Sequence, residues 1–140
     1  MMEKSKRKPI DLSKSKPMET RDTRRGAISI SIINTKGNGR RIKLSQALME
    51  KLGNPREIQF RILDNKFILG CNLDENEKSF RFSKTAEGTI YSSAIVNSMT
   101  EVLELDFTNV TSVTLTNIRV RKASFFDDEI KRVAIVKRNE

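Results

Sequence analysis

Apolar and polar residues alternate without a break in ISISII, where Ile28, Ile30 and Ile32 fall on one face and Ser29 and Ser31 on the other, the period of a half-buried strand. The alternation resumes over residues 40–44, with Ile42 and Leu44 inward and Arg41 and Lys43 outward. Between these runs, NTKGNG holds two glycines and two asparagines and predicts a loop. Ser45 predicts the N-cap of a short helix through Leu52, with Ala47, Leu48 and Leu52 on one face, Gly53 at the C-terminal stop and Pro55 beyond. Two turns do not hold alone, so Leu48 and Leu52 must pack on the sheet, and truncating either to Ala where it is buried costs roughly 2–5 kcal/mol. EIQFRIL and KFILG, split by Asp64-Asn65, predict a hairpin with Ile58, Phe60 and Ile62 on one face, while Phe67 to Leu69 is apolar enough to be buried on both.

The same order of events then recurs. After the acidic connector NLDENE come a strand in SFRFS with Phe80 and Phe82 inward, a loop in TAEG, and a short strand in TIYSS. A helix in SAIVNSMT capped by Ser92 or Ser93, an alternating strand in EVLELDF and a strand in VTLTNIRVRK complete the series. The repetition predicts two strand-helix-hairpin units, 27–71 and 78–122, although a plain mixed sheet produces the same list. ASFFDDEIKRVAIVKRNE has no counterpart in the first half: it adds Phe125 and Phe126, an acidic turn and a last strand with Val133 and Ile135 facing one way. This extra strand, 123–140, either covers an edge of its own sheet or docks on a partner. Residues 27–140 are thus expected to form a single β-rich domain of the α+β class, mainly β.

Residues 1–26 carry two prolines and no apolar periodicity, which predicts a disordered arm. Charge changes the picture here, because the arm holds nine Lys or Arg against four Asp or Glu, +5 of the chain's net +9. Such an excess favours polyanions. The clusters Lys6-Arg7-Lys8 and Arg24-Arg25 suit a phosphate backbone, and a solubilising leader has the same composition. The chain has no histidine and one cysteine, Cys71, which removes the commonest general base, the usual zinc patterns and any intrachain disulfide, and fits a reducing compartment. The acidic clusters sit in expected turns as solvated charge, so no catalytic residue, metal or cofactor is expected, and the chain is read as no enzyme. No apolar run approaches the roughly 20 residues that cross a bilayer, and no signal-peptide h-region opens the chain. A cytoplasmic protein is the expectation.

TKGNGRR lacks the Lys-Ser/Thr ending of a P-loop and the full dinucleotide fingerprint. It does concentrate Lys36, Arg40, Arg41 and Lys43 within eight residues, a set that suits phosphate contacts and bidentate contact with guanine. A solvated hairpin rim with no ligand is the alternative reading of the same residues, and binding is favoured over it. The run GRRIKLSQALMEKLG followed by EIQFRILDNKFILG resembles the AbrB, MazE and MraZ superfamily of swapped-hairpin DNA-binding domains. Gly39-Arg40 and Leu52-Gly53 are the most specific parts, within about 45 residues of likeness. The resemblance implies a swapped-hairpin barrel from two units, joined in one chain or paired as a homodimer, and DNA contact by Arg40. Lys36, Arg41, Lys43 and Lys51 join it by proximity and charge, with Arg24 and Arg25 from the arm. The chain departs from the pattern in the spacing between Gly-Arg and Leu-Gly, in Ser45 where proline is common, in Met49 and Glu50 where a basic pair is common, and in a second loop without arginine.

The expected function is binding of duplex DNA, sequence-specific or architectural, in transcription regulation. A protein-interaction module, such as an antitoxin or an inhibitor of a nucleic-acid enzyme, is the alternative. RNA or single-strand binding on the sheet ranks third, because few exposed aromatics can be named for base stacking: Phe80 and Phe82 face inward and Tyr91 stands alone.

Overall fold

Ile30 and Ile32 are fully buried while Ser31 is only half-buried, as alternation along β1 (Ile30–Asn34) requires. β1 runs antiparallel to β2 (Arg40–Leu44), with Ile32 opposite Ile42. In this computed structural model residues 13–15, 27–37, 39–124 and 130–139 are described. Most of the expected arm, with Arg24 and Arg25, and the Phe125-Phe126 pair lie outside them.

Helix α1 (Gln46–Lys51) begins where Ser45 accepts a hydrogen bond from the Leu48 amide at 3.2 Å, and it ends where Gly53 takes φ 85° after Leu52. Ala47, Leu48 and Met49 are buried, whereas Leu52 is only half-buried, so the weight of the helix's packing rests on Leu48. Met49, where the resembling family often carries a basic residue, is core here. β3 (Glu57–Leu63) and β4 (Lys66–Gly70) form the expected hairpin, with Asp64 at φ 56°. Ile62 is exposed at its tip, and Ile68 is half-buried rather than enclosed on both sides.

In the second half, β5 (Phe80–Arg81) and β6 (Thr89–Tyr91) are short, and α2 (Ser93–Val102) is capped by the Ser92 hydroxyl, which accepts from the Ile95 amide at 3.2 Å. EVLELDF is not a strand. Its first residues finish α2, Leu103 is the C-cap, Glu104 takes φ 52°, and the Leu105 amide closes on the Thr100 carbonyl. Leu103, Leu105 and Phe107 still alternate towards the core, because an extended segment without a ladder partner buries every second residue as a strand does. The turn after it is held by Asp106, whose carboxylate accepts from the Thr108 hydroxyl and then its amide. These bonds hold the Asp106 carboxyl below its ordinary value, an effect present above the unfolded value and lost as pH falls through the folded one.

VTLTNIRVRK is two strands in different sheets, β7 (Ser112–Leu115) and β8 (Ile118–Ser124), broken at Thr116-Asn117. β9 (Ile130–Val136) does not cover an outer edge. It lies inside its sheet between β4 and β8, with Ala134 and Val136 in the core and Val133 buried on the opposite face.

The strands form two antiparallel sheets, β6-β2-β1-β7 and β5-β3-β4-β9-β8, and the architecture is α+β, mainly β. Among the described residues the sheets do not close into a barrel. One cluster joins their inner faces and both helices: Ile32, Ile42 and Leu115 from the first sheet, Phe67, Leu69 and Ala134 from the second, and Leu48 and Met99 from the helices. The halves exchange strands, since β1 pairs with β7, β5 pairs with β3, and β2 pairs with β6.

Candidate nucleic-acid interface

Because Ile42 and Leu44 enter the core, Arg41 and Lys43 stand on the outer face of the four-stranded sheet. The register places them in two transverse rows. Tyr91, Arg41, Ile33 and Ser112 lie side by side across β6, β2, β1 and β7, and Thr89, Lys43, Ser31 and Thr114 form the next row. The Ser31 and Thr114 hydroxyls are 3.4 Å apart, as neighbours on one face should be. None of the four strands contains Asp or Glu. Lys43 is exposed, and Tyr91 is 59% exposed.

Arg40 is separated from this set by one step of the pleat. It shares the inward parity of Ile42, and at the rim of the core its Nη1 donates to Asn97 Oδ1 of α2 at 3.0 Å. The Arg40 carbonyl also accepts from the Ser92 amide at 3.1 Å, so this residue ties β2 to the start of α2. Arg41 donates from Nη1 to the Gly39 carbonyl at 3.4 Å. Lys36 is exposed in the β1–β2 loop, which Thr35 closes by donating to the Gly39 carbonyl at 3.0 Å, with Gly39 at φ 82°. Lys51 belongs elsewhere: its carbonyl accepts from Arg132 Nη1 of β9 at 3.4 Å, which sets the last turn of α1 beside the other sheet.

The structure therefore brings together Arg41 and Lys43, with Lys36 on the adjoining loop, and separates Arg40 and Lys51 from them. Arg24 and Arg25 lie outside the described residues. Sequence reasoning missed Ser31, Ser112 and Thr114 as members of the face. Ser31 was legible as the polar partner in ISISII, but the two β7 residues join it only through a pairing between positions some eighty residues apart. Among the described residues no group of three or more Cys, Asp or Glu is arranged to hold a metal ion, and no helix is long and apolar enough to cross a membrane.

Fold and face together define a two-sheet α+β domain with a basic sheet surface on strands that hold no Asp or Glu, where Tyr91, Ser112 and Thr114 are exposed with Lys43 and Thr89 is buried. No family model, curated protein or solved structure matches the chain.

Proposed function

We propose that this chain is a DNA-binding protein of the AbrB-like kind, acting in transcription regulation in the cytoplasm, and that the outer face of the four-stranded sheet carries the contact. The supporting observation is the pair Arg41 and Lys43 on four strands without an acidic residue, flanked by the Ser, Thr and Tyr hydroxyls that commonly contact phosphates. The exchange of strands between the halves supports an interleaved, swapped-hairpin origin for the domain, with the second strands, β2 and β6, paired to each other. Paired features in the two halves agree with it. Ser45 and Ser92 cap the helices, Gly53 and Glu104 take positive φ after them, and Gly39 and Gly88 take positive φ before the second strands. In this reading Arg40 fixes the β2–α2 junction and Arg41 and Lys43 touch phosphate. Arg24 and Arg25 precede Ala27 by so few residues, at no more than about 3.6 Å each, that the arm can extend the same face.

Fluorescence anisotropy with labelled DNA across a salt series tests the reading. The double variant Arg41→Ala with Lys43→Ala is expected to bind more weakly and to flatten the dependence of log affinity on log salt by roughly 1.4–1.8, two contacts' worth. Arg40→Ala is expected to leave the slope within about half a unit of the unaltered chain. A slope unchanged by the double variant rules the face out.

A second reading, binding of a protein partner, is favoured by one specific observation. The Lys137 amide donates to the Asn117 carbonyl, so in the unbroken antiparallel register of β8 and β9 the odd residues of β8 bond β9. The backbone groups of Val120 and Lys122 then face outward. The edge of β7, by contrast, is capped by Asn139, whose side chain accepts from the Thr116 amide and donates to the Thr114 carbonyl. β8 is thus a free edge among the described residues, open to strand addition. Lys122→Pro removes an outward N–H without touching the β9 ladder. If this reading holds, the variant is expected to lose a stoichiometric partner recovered after nuclease treatment while keeping its melting temperature.

A further inference from the structure

We infer, on the nucleic-acid reading above, that the outer face of the four-stranded sheet takes a single strand, with a base stacked on Tyr91 and neighbouring phosphates on Arg41 and Lys43, in preference to a duplex.

The first reason is width. A two-stranded ribbon enters the major groove, which is about 12 Å across, but β1 and β2 are flanked by β7 and β6. Four strands span roughly 14 Å between the outer strand axes before any side chain is counted. This sheet cannot enter a groove. A duplex laid against it would offer only its convex backbone, which touches a flat face along one line.

The second reason is Tyr91 itself. It projects from the edge strand β6 directly opposite Arg41 and is 59% exposed. Its ring lies beside Gly39, where a Cβ would stand 4.0 Å from Tyr91 Cδ1, an ordinary contact distance. An aromatic on a polar sheet, with a guanidinium in the next strand, is the combination on which bases stack without regard to sequence. Ile33 continues the row on the far side of Arg41 and gives a second apolar contact of lower value. Arg41 and Lys43 are two residues apart on one strand, about 6.7 Å along it, a step comparable with that between neighbouring phosphates of an extended strand. The acid-free strands supply the charge complementarity.

The composition provides a direct readout. Tyr91 is the chain's only tyrosine and there is no tryptophan, so ultraviolet-excited tyrosine emission of the full chain reports this one ring. The chain is titrated in parallel with a fifteen-nucleotide oligothymidylate, a fifteen-base-pair duplex and inorganic polyphosphate at one fixed salt concentration, following anisotropy of labelled DNA and tyrosine emission. The single strand is expected to bind at least about tenfold more tightly than the duplex and to quench Tyr91 saturably, while polyphosphate binds without quenching. Tyr91→Ala is expected to weaken oligothymidylate binding about tenfold or more and duplex binding by less than about twofold, the loss of one hydroxyl contact, and Tyr91→Phe to restore most of the oligothymidylate affinity. Circular dichroism checks that both variants keep the fold, as expected at an exposed site.

Duplex binding as tight as single-strand binding, with Tyr91 emission unquenched and Tyr91→Ala without effect, overturns this inference and leaves the Arg41 and Lys43 contact standing. Binding that is unaffected by the Arg41→Ala and Lys43→Ala double variant overturns both.

Discussion

Gly88→Ala is expected to lower the unfolding free energy by about 3–5 kcal/mol, adding a left-handed backbone penalty to a steric one. Gly88 sits at φ 69°, and a Cβ built there falls 2.6 Å from the carbonyl oxygen of Leu44. The obstacle is backbone, so no side chain can rotate out of the way. The same approach is bonded, since the Leu44 amide donates to the Gly88 carbonyl at 2.8 Å, and relieving the overlap means breaking that link beside the β2–β6 pairing. The other glycines provide internal controls. Gly39, at φ 82° with only Tyr91 at 4.0 Å, is expected to lose about 1 kcal/mol on Gly39→Ala. Gly37 has nothing within 4 Å and no positive φ, so Gly37→Ala is expected to be neutral within about 0.5 kcal/mol. Denaturant midpoints followed by circular dichroism give all three. A Gly88→Ala loss no larger than that of Gly39→Ala refutes the steric part of the argument.

The strands β1, β2, β3 and β4 were legible in the sequence because the first three alternate, the fourth is a short apolar run, and each break carries its own chemistry: two glycines before Arg40, Ser45 before α1, Asp64-Asn65 between β3 and β4. EVLELDF misled because alternation reports burial of every second residue and not ladder hydrogen bonds, and the end of α2 followed by an extended segment satisfies the first without the second. VTLTNIRVRK misled for a related reason. A strand that changes sheets at Thr116-Asn117 keeps its β propensity on both sides of the break. The candidate site was half legible. Lys36, Arg40, Arg41 and Lys43 were visible as a cluster in sequence, but adjacency along a strand puts neighbours on opposite faces, and that parity sends Arg40 to Asn97 and Arg41 to Tyr91. Tyr91 became part of the site only through the β2–β6 pairing, which no local pattern encodes.

The same parity rule places Gln59 on the outer side of β3, where solvent would be expected, yet it is 2% exposed. The reason is the loop over it. Gln59 Oε1 accepts from the Leu73 and Asp74 amides at 2.7 and 2.8 Å, and Nε2 donates to the Asp74 and Glu77 carbonyls at 2.6 and 3.0 Å. One side-chain amide thus replaces a strand partner for residues 73–77, while Leu73 packs beneath against Gly70. Gln59→Leu takes this partner from the Leu73 and Asp74 amides and the Glu77 carbonyl, while the Asp74 carbonyl keeps the Glu77 amide, and is expected to cost about 3–5 kcal/mol, with faster hydrogen exchange at the Leu73 and Asp74 amides. Gln59→Glu separates the hydrogen bonds from shape. The carboxylate keeps the two acceptor bonds but turns an oxygen towards the two carbonyls, so its pKa in the folded state rises above the unfolded value of about 4.3. The sign follows directly: below the unfolded value both states are protonated, the carboxyl can donate to one carbonyl, and the deficit against the unaltered chain is smallest. The deficit grows as pH rises from the unfolded towards the folded pKa and is constant above it. Gln59→Leu, with nothing to titrate, is expected to show a deficit independent of pH over the same window. Denaturant unfolding of the three proteins between pH 4 and pH 8 decides the matter, and parallel pH profiles for the two variants would show that Gln59 holds the loop by packing alone.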